Sequence, residues 1–363
     1  MDLYILLLFS SLAFFFDLWY LGFRRVKQGL NSICTLKTKK EELEMKTLSF
    51  GQKRDLLFAL EKIVREAGEE ILTQRGTKIF DTVDYKGHES SNIDIFARER
   101  VQAAIDRYLP ELEGIVRFEL RPFSKTLIEA DEHQPLVLIV DEIEGTTNTK
   151  RCLAAALEYR PLALVSLALS TSESLKNLVL SAVYTFDQAE VFSALCVEGD
   201  NFLVFRNGQV IQPSLVISTR GDSRKRILVV GYSNSHRVKK GEVEQALYDK
   251  KLKVYDGCRA SGMDIINLLR NATDAYIDLR HYWSTKDEQG KEKEAMLQVY
   301  DIAGVIPVAE GCGMKVTDAE GKSWREYNLE DTIPLIVARP DIHQLILDTV
   351  KPLVEKWKGG EKK

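Results

Sequence analysis

Residues 136–151, LVLIVDEIEGTTNTKR, constrain the chain more than any other stretch. Five apolar residues (136–140) read as a buried strand and deliver the chain to Asp141, Glu142 and Glu144. Carboxylates at the end of a buried strand repel one another and resist desolvation, so something positive must offset that cost. Their hard oxygens suit magnesium better than a transition metal. Gly145 then allows a tight turn and a close backbone approach to a ligand. At a helix start, the N–H groups of Gly145, Thr146 and Thr147 would face a bound anion. Carboxylates for a cation beside amides for a phosphate is the layout of metal-assisted phosphate hydrolysis. The plainer alternative for this stretch alone is a solvated acidic turn.

Composition narrows the rest. With 363 residues, 45% of them hydrophobic, the chain has core enough for two domains or one large layered one. A formal charge of -4 and no obviously basic face argue against nucleic-acid binding. Five scattered cysteines without a CxxC pair indicate neither a disulfide framework nor a zinc site, and fit a reducing, cytoplasmic setting. The first 27 residues are different. Between Leu3 and Phe23 only Asp17 is charged, a run long enough to cross a bilayer as a helix, and Arg24, Arg25 and Lys27 follow it. We read 1–27 as a membrane anchor that leaves the bulk on the cytoplasmic side. Its alternatives are a start codon placed too far upstream, or a helix that packs on the protein itself.

Residues 28–50 read as a polar linker. From 51 to 212 the pattern predicts an α+β part. Leu56, Leu60, Ile63, Val64, Ala67 and Ile71 form the stripe of one helix, and a second helix runs over 96–108. Strands are expected over 114–120, 136–140, 162–169, 179–185 and 190–195, and 201–209 reads as a strand entering a turn at Asn207-Gly208. From 213 to 360 strands alternate with helices, including one helix over 297–310. The second half is therefore an α/β part, layered on the first.

A second motif stands about 160 residues after Asp141: VYDIAGVIPVAEGCG, with Asp301 at the head of a helix of small and apolar residues. Capping that helix is the simple role for Asp301. DEIEGTT and YDIAG together resemble the two motifs of the inositol monophosphatase family, Asp-Pro-Ile/Leu-Asp-Gly-Thr/Ser and Trp-Asp-x-Ala-Gly. Residues 90–110, the hairpin leading to FRNGQ and the segment 259–279 are similar to the family as well, so the resemblance covers roughly 52 to 358.

The resemblance implies an α-β-α-β-α layered sandwich of the sugar-phosphatase type. It also implies two or three Mg2+ ions and, often in this family, a homodimer. Carried over by position, Asp141, Glu144, Asp301 and the Ile143 carbonyl would be metal ligands, with Glu119 as the best candidate for a further one. Asp94 would hydrogen-bond Thr146, and that pair with Glu119 would orient and deprotonate the attacking water. Gly145, Thr146, Thr147, Ser261, Gly262 and Asp278 would contact substrate, Asp278 through a sugar hydroxyl.

The chain departs from the pattern in specific places. Glu142 stands where the family has Pro and is expected to face solvent. Glu144 stands where it has Asp, and the extra methylene moves the carboxylate by about 1.5 Å. Asp264 replaces a small residue. Residues 280–299 form a longer link than usual, with a charged centre (KDEQGKEKE), and 148–160 is an apparent insertion whose Lys150 and Arg151 could meet a second phosphate. The implied activity is Mg2+-dependent hydrolysis of a small polyol or sugar phosphate. Fructose-1,6-bisphosphatase or bisphosphate nucleotidase activity is the enzymatic alternative. A membrane-tethered binding or scaffold protein without turnover is the alternative of another class.

Overall fold

The computed structural model describes residues 48–74, 82–85, 88–109, 136–154, 159–172, 174–198, 201–213, 225–231, 237–283, 296–329 and 331–360. The N-terminal apolar segment, most of the linker, the strand expected over 114–120 with Glu119, and the charged centre of the 280–299 link lie outside them. Among the described residues, no helix is long and apolar enough to cross a membrane.

Helix α1 (Phe50–Leu72) starts at a capping box, in which Ser49 Oγ accepts from the Gln52 N–H and the Gln52 side chain accepts from the Ser49 N–H. All six residues of its expected stripe are buried. A short hairpin, β1 (Thr82–Tyr85) and β2 (His88–Ser91), precedes α2 (Asn92–Tyr108). Six antiparallel strands then form one sheet in chain order: β3 (Val137–Glu144), β4 (Leu164–Ser170), β5 (Leu178–Thr185), β6 (Glu190–Glu198), β7 (Asn201–Arg206) and β8 (Gln209–Val210). Asn207 and Gly208 both take positive φ (51° and 76°), the backbone a tight hairpin turn demands. Helix α3 (Thr146–Ala154) leaves β3 at once.

The second sheet has the order β10-β9-β11-β13-β12, from β9 (Arg226–Val230), β10 (Lys253–Asp256), β11 (Ala275–Asp278), β12 (Lys315–Asp318) and β13 (Leu335–Ala338). β9 runs parallel to β10 and β11, and β13 antiparallel to β11 and β12. Its helices are α4 (Arg237–Asp249), α5 (Ser261–Leu269), α6 (Val299–Ile302), α7 (Ile306–Gly311) and α8 (Pro340–Gly360).

Three cores stack these elements into five layers. The first joins α1 and α2 to one face of the six-stranded sheet. The second fills the space between the two sheets around α5, α6 and α7. The third joins α4 and α8 to the outer face of the five-stranded sheet. This is the expected α-β-α-β-α sandwich. Strand alternation sorts β3 between two cores: Leu138 and Val140 face α1 and α2, while Val137 and Ile139 face the middle layer.

One expected element is broken. In place of a single helix over 297–310 there are two, α6 and α7, separated at Ala303, Gly304 and Val305. Pro307 lies in the first turn of α7 and has no N–H to continue a ladder from α6, so the helix has to restart there. Gly304 also packs against β4, where a Cβ would sit 3.3 Å from the Leu167 carbonyl oxygen and overlap the Ser166 hydroxyl.

Candidate active site

The acid-bearing end of β3 meets the N-termini of α5 and α6 in the middle layer. By alternation Asp141 follows Val137 and Ile139 toward that layer. The β3–β4 register then shifts between Asp141 and Glu144, and this irregularity turns Glu144 toward α5. Glu144 is 8% exposed, and its Oε1 accepts the Ser261 N–H at 2.5 Å. The Gly262 N–H also favours its charge. The Glu144 carboxylate thus meets the N-terminus of α5. Ser261 and Gly262, expected to contact substrate, give those backbone donors to Glu144.

Gly145 takes φ 94°, and a Cβ there would stand 2.9 Å from Ala260 Cβ and 3.0 Å from the Leu162 carbonyl oxygen. Only glycine fits this turn without strain. Its carbonyl accepts from the Asn148 and Thr149 N–H groups and so begins α3. Asp301 is the third residue of α6, and its Oδ2 accepts the Gln298 N–H at 3.2 Å, so it does cap that helix.

The electrostatics tie the two motifs together. Burial pushes Asp141 well above the usual carboxylate range, and the charges of Asp301, Glu144 and Glu142 add to it. Burial likewise pushes Glu144 up to about 8, with Asp301 and Asp264 adding to it and the Ser261 and Gly262 amides opposing. Burial pushes Asp301 up to about 7, opposed by the Gln298 amide and by the Arg280 guanidinium. Asp264, whose two carboxylate oxygens share the single Cys258 N–H at 3.0 and 3.1 Å, is pushed up to about 6 by burial. Residues from β3 and α6, far apart in the chain, therefore sense one another's charge.

Do these residues suit a divalent cation? Glu144 Oε2 is buried and has no hydrogen-bond partner. A buried, unpartnered carboxylate oxygen among like charges is costly unless a cation meets it. The donor set is all oxygen, the type magnesium prefers. Among the described residues, which include Asp141, Glu144 and Asp301, no three acid, cysteine or histidine side chains are placed together so as to hold a metal ion. In donor chemistry, though not in their present placement, these residues suit a hard cation.

Several expected contacts come out differently. The Thr146 hydroxyl donates to the Ile143 carbonyl three residues earlier, at 3.0 Å, and not to Asp94. Asp94 lies 3.8 Å from Lys150 Nζ instead. Glu142 does not face solvent: it shares the parity of Leu138 and Val140, turns toward α2, and accepts from Arg98 Nε at 2.8 Å. Asp278 is not a free acceptor for a sugar hydroxyl. It is fully buried, and its carboxylate takes the Arg280 Nε and Nη2 (2.6 Å), the Arg280 N–H and the Tyr276 hydroxyl (3.0 Å).

Sequence reasoning passed over Arg280, which is 3% exposed with Nη2 3.5 Å from Ser261 Oγ. Its spacing from Asp278, two residues apart across a strand end, was the available signal. The segment carrying Arg280 is held from below by Trp283 against Trp357 of α8, ring centroids 6.0 Å apart, and by Lys239 Nζ on the Tyr282 carbonyl at 2.7 Å.

Known proteins share the family pattern and the fold. Residues 52–355 match the inositol monophosphatase family. A protein of Archaeoglobus fulgidus named fructose-1,6-bisphosphatase/inositol-1-monophosphatase is 22% identical over 214 residues, covering 58% of this chain and 68% of that one. Among solved structures, the extragenic suppressor protein suhB of Bartonella henselae superposes with a TM-score of 0.58 at 17% identity, over 82% of this chain and 98% of that one. An inositol monophosphatase from Zymomonas mobilis gives 0.55 at 16%, over 82% and 98%. An IMPase/NADP phosphatase complexed with Mg2+ and phosphate gives 0.53 at 18%, over 82% and 95%. Two acidic motifs that sense each other's charge, a five-layer sandwich around them, and a family match over most of the length have one reading: the chain belongs to the inositol monophosphatase family, a family of phosphatases.

Proposed function

We propose that this chain is a Mg2+-dependent phosphomonoesterase for a small polyol or sugar phosphate, with Asp141, Glu144 and Asp301 as the cation's carboxylate ligands. The observation that carries the proposal is the unpartnered Glu144 Oε2, buried beside two further acids whose ionisation burial and mutual repulsion oppose. When bound, Mg2+ supplies neutralisation of the phosphate, a lowered pKa for the attacking water and stabilisation of the leaving oxygen.

The chain's own residues do the rest. The turn at Gly145 and the start of α3 present backbone amides of Thr146 and Thr147 where a phosphate oxygen would sit. The Ile143 carbonyl, already an acceptor for Thr146, keeps a second lone pair for the cation. Asp94 and Glu119 remain the proposed groups for handling the water's proton. Asp94 would have to exchange its neighbour Lys150 for that water.

Relatives named for fructose-1,6-bisphosphate and for NADP keep both substrate classes in a useful panel. The test is phosphate release from inositol monophosphates, sugar monophosphates, fructose 1,6-bisphosphate, bisphosphonucleotides and NADP, with Mg2+ or with chelator. Release from one class, abolished by chelator, is expected. Folded protein that is inert toward the whole panel would replace the enzyme with a binding or scaffold protein.

A further inference from the structure

Helix α2 runs beside the acidic corner and meets it twice. Asp94 and Arg98 are four residues apart and so share a face of the helix. Arg98 Nε donates to Glu142 Oε1 at 2.8 Å, with the two side chains only 13% and 12% exposed. One turn earlier, Asp94 lies 3.8 Å from Lys150 of α3. The helix is therefore tied to the chain both before and after the Gly145 turn. Between the ties, the β3–β4 ladder is interrupted from Asp141 to Glu144, where the sheet itself constrains the backbone least.

We propose that the Arg98–Glu142 pair is a positioning clamp for the cation site. It fixes the backbone between Asp141 and Glu144, so that their carboxylates keep the spacing a divalent ion needs. Glu142 stands where the resembled motif has a rigid proline, and a charge-assisted bond to a helix is a second way to stiffen the same turn. Neither residue touches the cation. The inference rests on the cation-dependent reading of this site.

Charge alone makes the opposite forecast, which makes the clamp testable. Arg98 is a positive group beside a cation site, so by Coulomb's law its removal would tighten cation binding. A clamp predicts weaker binding. Arg98→Leu separates the two, and Arg98→Leu/Glu142→Gln does so more cleanly, because it removes one charge of each sign and does not leave Glu142 as an unpaired ion.

Full-length protein would be titrated with Mg2+ alone by calorimetry, and each variant's folding checked by thermal unfolding in chelator. Both variants are expected to bind the ion about tenfold more weakly or worse, the scale of other residues that orient metal ligands. Arg98→Lys should recover part of the loss. Affinity in the double variant equal to the unmodified chain, or tighter binding in Arg98→Leu, overturns the clamp and leaves the phosphatase reading standing. An unmodified chain that binds no Mg2+ overturns both.

Discussion

Asp141→Asn is expected to lower Mg2+-dependent phosphate release by on the order of a thousandfold, since a cation site of this kind supplies several kcal/mol of transition-state stabilisation and each 1.36 kcal/mol is a factor of ten. The same substitution should leave the protein folded, and in chelator at neutral pH more stable. Asp141 is partly buried and repelled by Asp301, Glu144 and Glu142, so its charge costs the cation-free fold free energy that an isosteric amide does not. Activity and stability thus move in opposite directions from one change, a combination that general misfolding cannot produce. Kinetics on the best substrate together with thermal unfolding would check it. Activity within about tenfold of the unmodified chain would remove Asp141 from the catalytic machinery.

The second large effect is a pH dependence that a divalent cation cancels. The Glu144 carboxyl rises from an ordinary 4.5 to about 8 in the fold, and that of Asp301 from 3.8 to about 7. Between those limits the folded chain holds protons that the unfolded chain has released, so stability falls as pH rises. The contribution is fully present below about pH 4 and is lost by about pH 8. In chelator the melting temperature should therefore drop by several degrees between roughly pH 5 and pH 8. Millimolar Mg2+ should flatten that slope, because a bound cation favours the ionised acids and binds only the native state. Glu144→Gln should remove much of the drop in chelator and much of the stabilisation by Mg2+. A melting temperature that climbs steadily across this window in chelator would mean that these carboxyls are not strained as described.

Much of this site was legible in the sequence, and the reasons are local. DEIEGTT and YDIAG each combine an element end, small residues and carboxylates within a few positions, so their chemistry can be read without a fold. The stripe of α1 and the Asn207-Gly208 turn follow from periodicity and from positive φ in the same way. What was not legible depends on partners brought from a distance. Glu142 looks like a free surface acid until Arg98, 44 residues away, is placed opposite it. Its direction was in fact available, since it continues the alternation of Leu138 and Val140 toward the helical layer. Glu144 meets Ser261 across 117 residues, and no spacing rule anticipates that. Asp278 was read from an expected substrate contact, whereas a cation two residues on in the same chain saturates its carboxylate.

A common thread links these differences. The chain has replaced a proline and a short acid at its first motif with two glutamates, and each glutamate has found its own support. Glu142 is held by an arginine on the helix layer, and Glu144 by the N-terminus of a helix in the middle layer. Each support engages a side-chain carboxylate, and the second oxygen of Glu144 is left without a hydrogen-bond partner. The proposed cation site would use the altered motif through that oxygen.

The most direct test of the account is a calorimetric titration of the full-length protein with Mg2+, run beside Asp301→Asn. Saturable binding by the unmodified chain, lost or weakened at least tenfold in the variant, is the predicted result. Equal affinity in the two proteins, or no binding by the unmodified chain at millimolar Mg2+, would contradict the claim that the acids of β3 and α6 exist to share a cation.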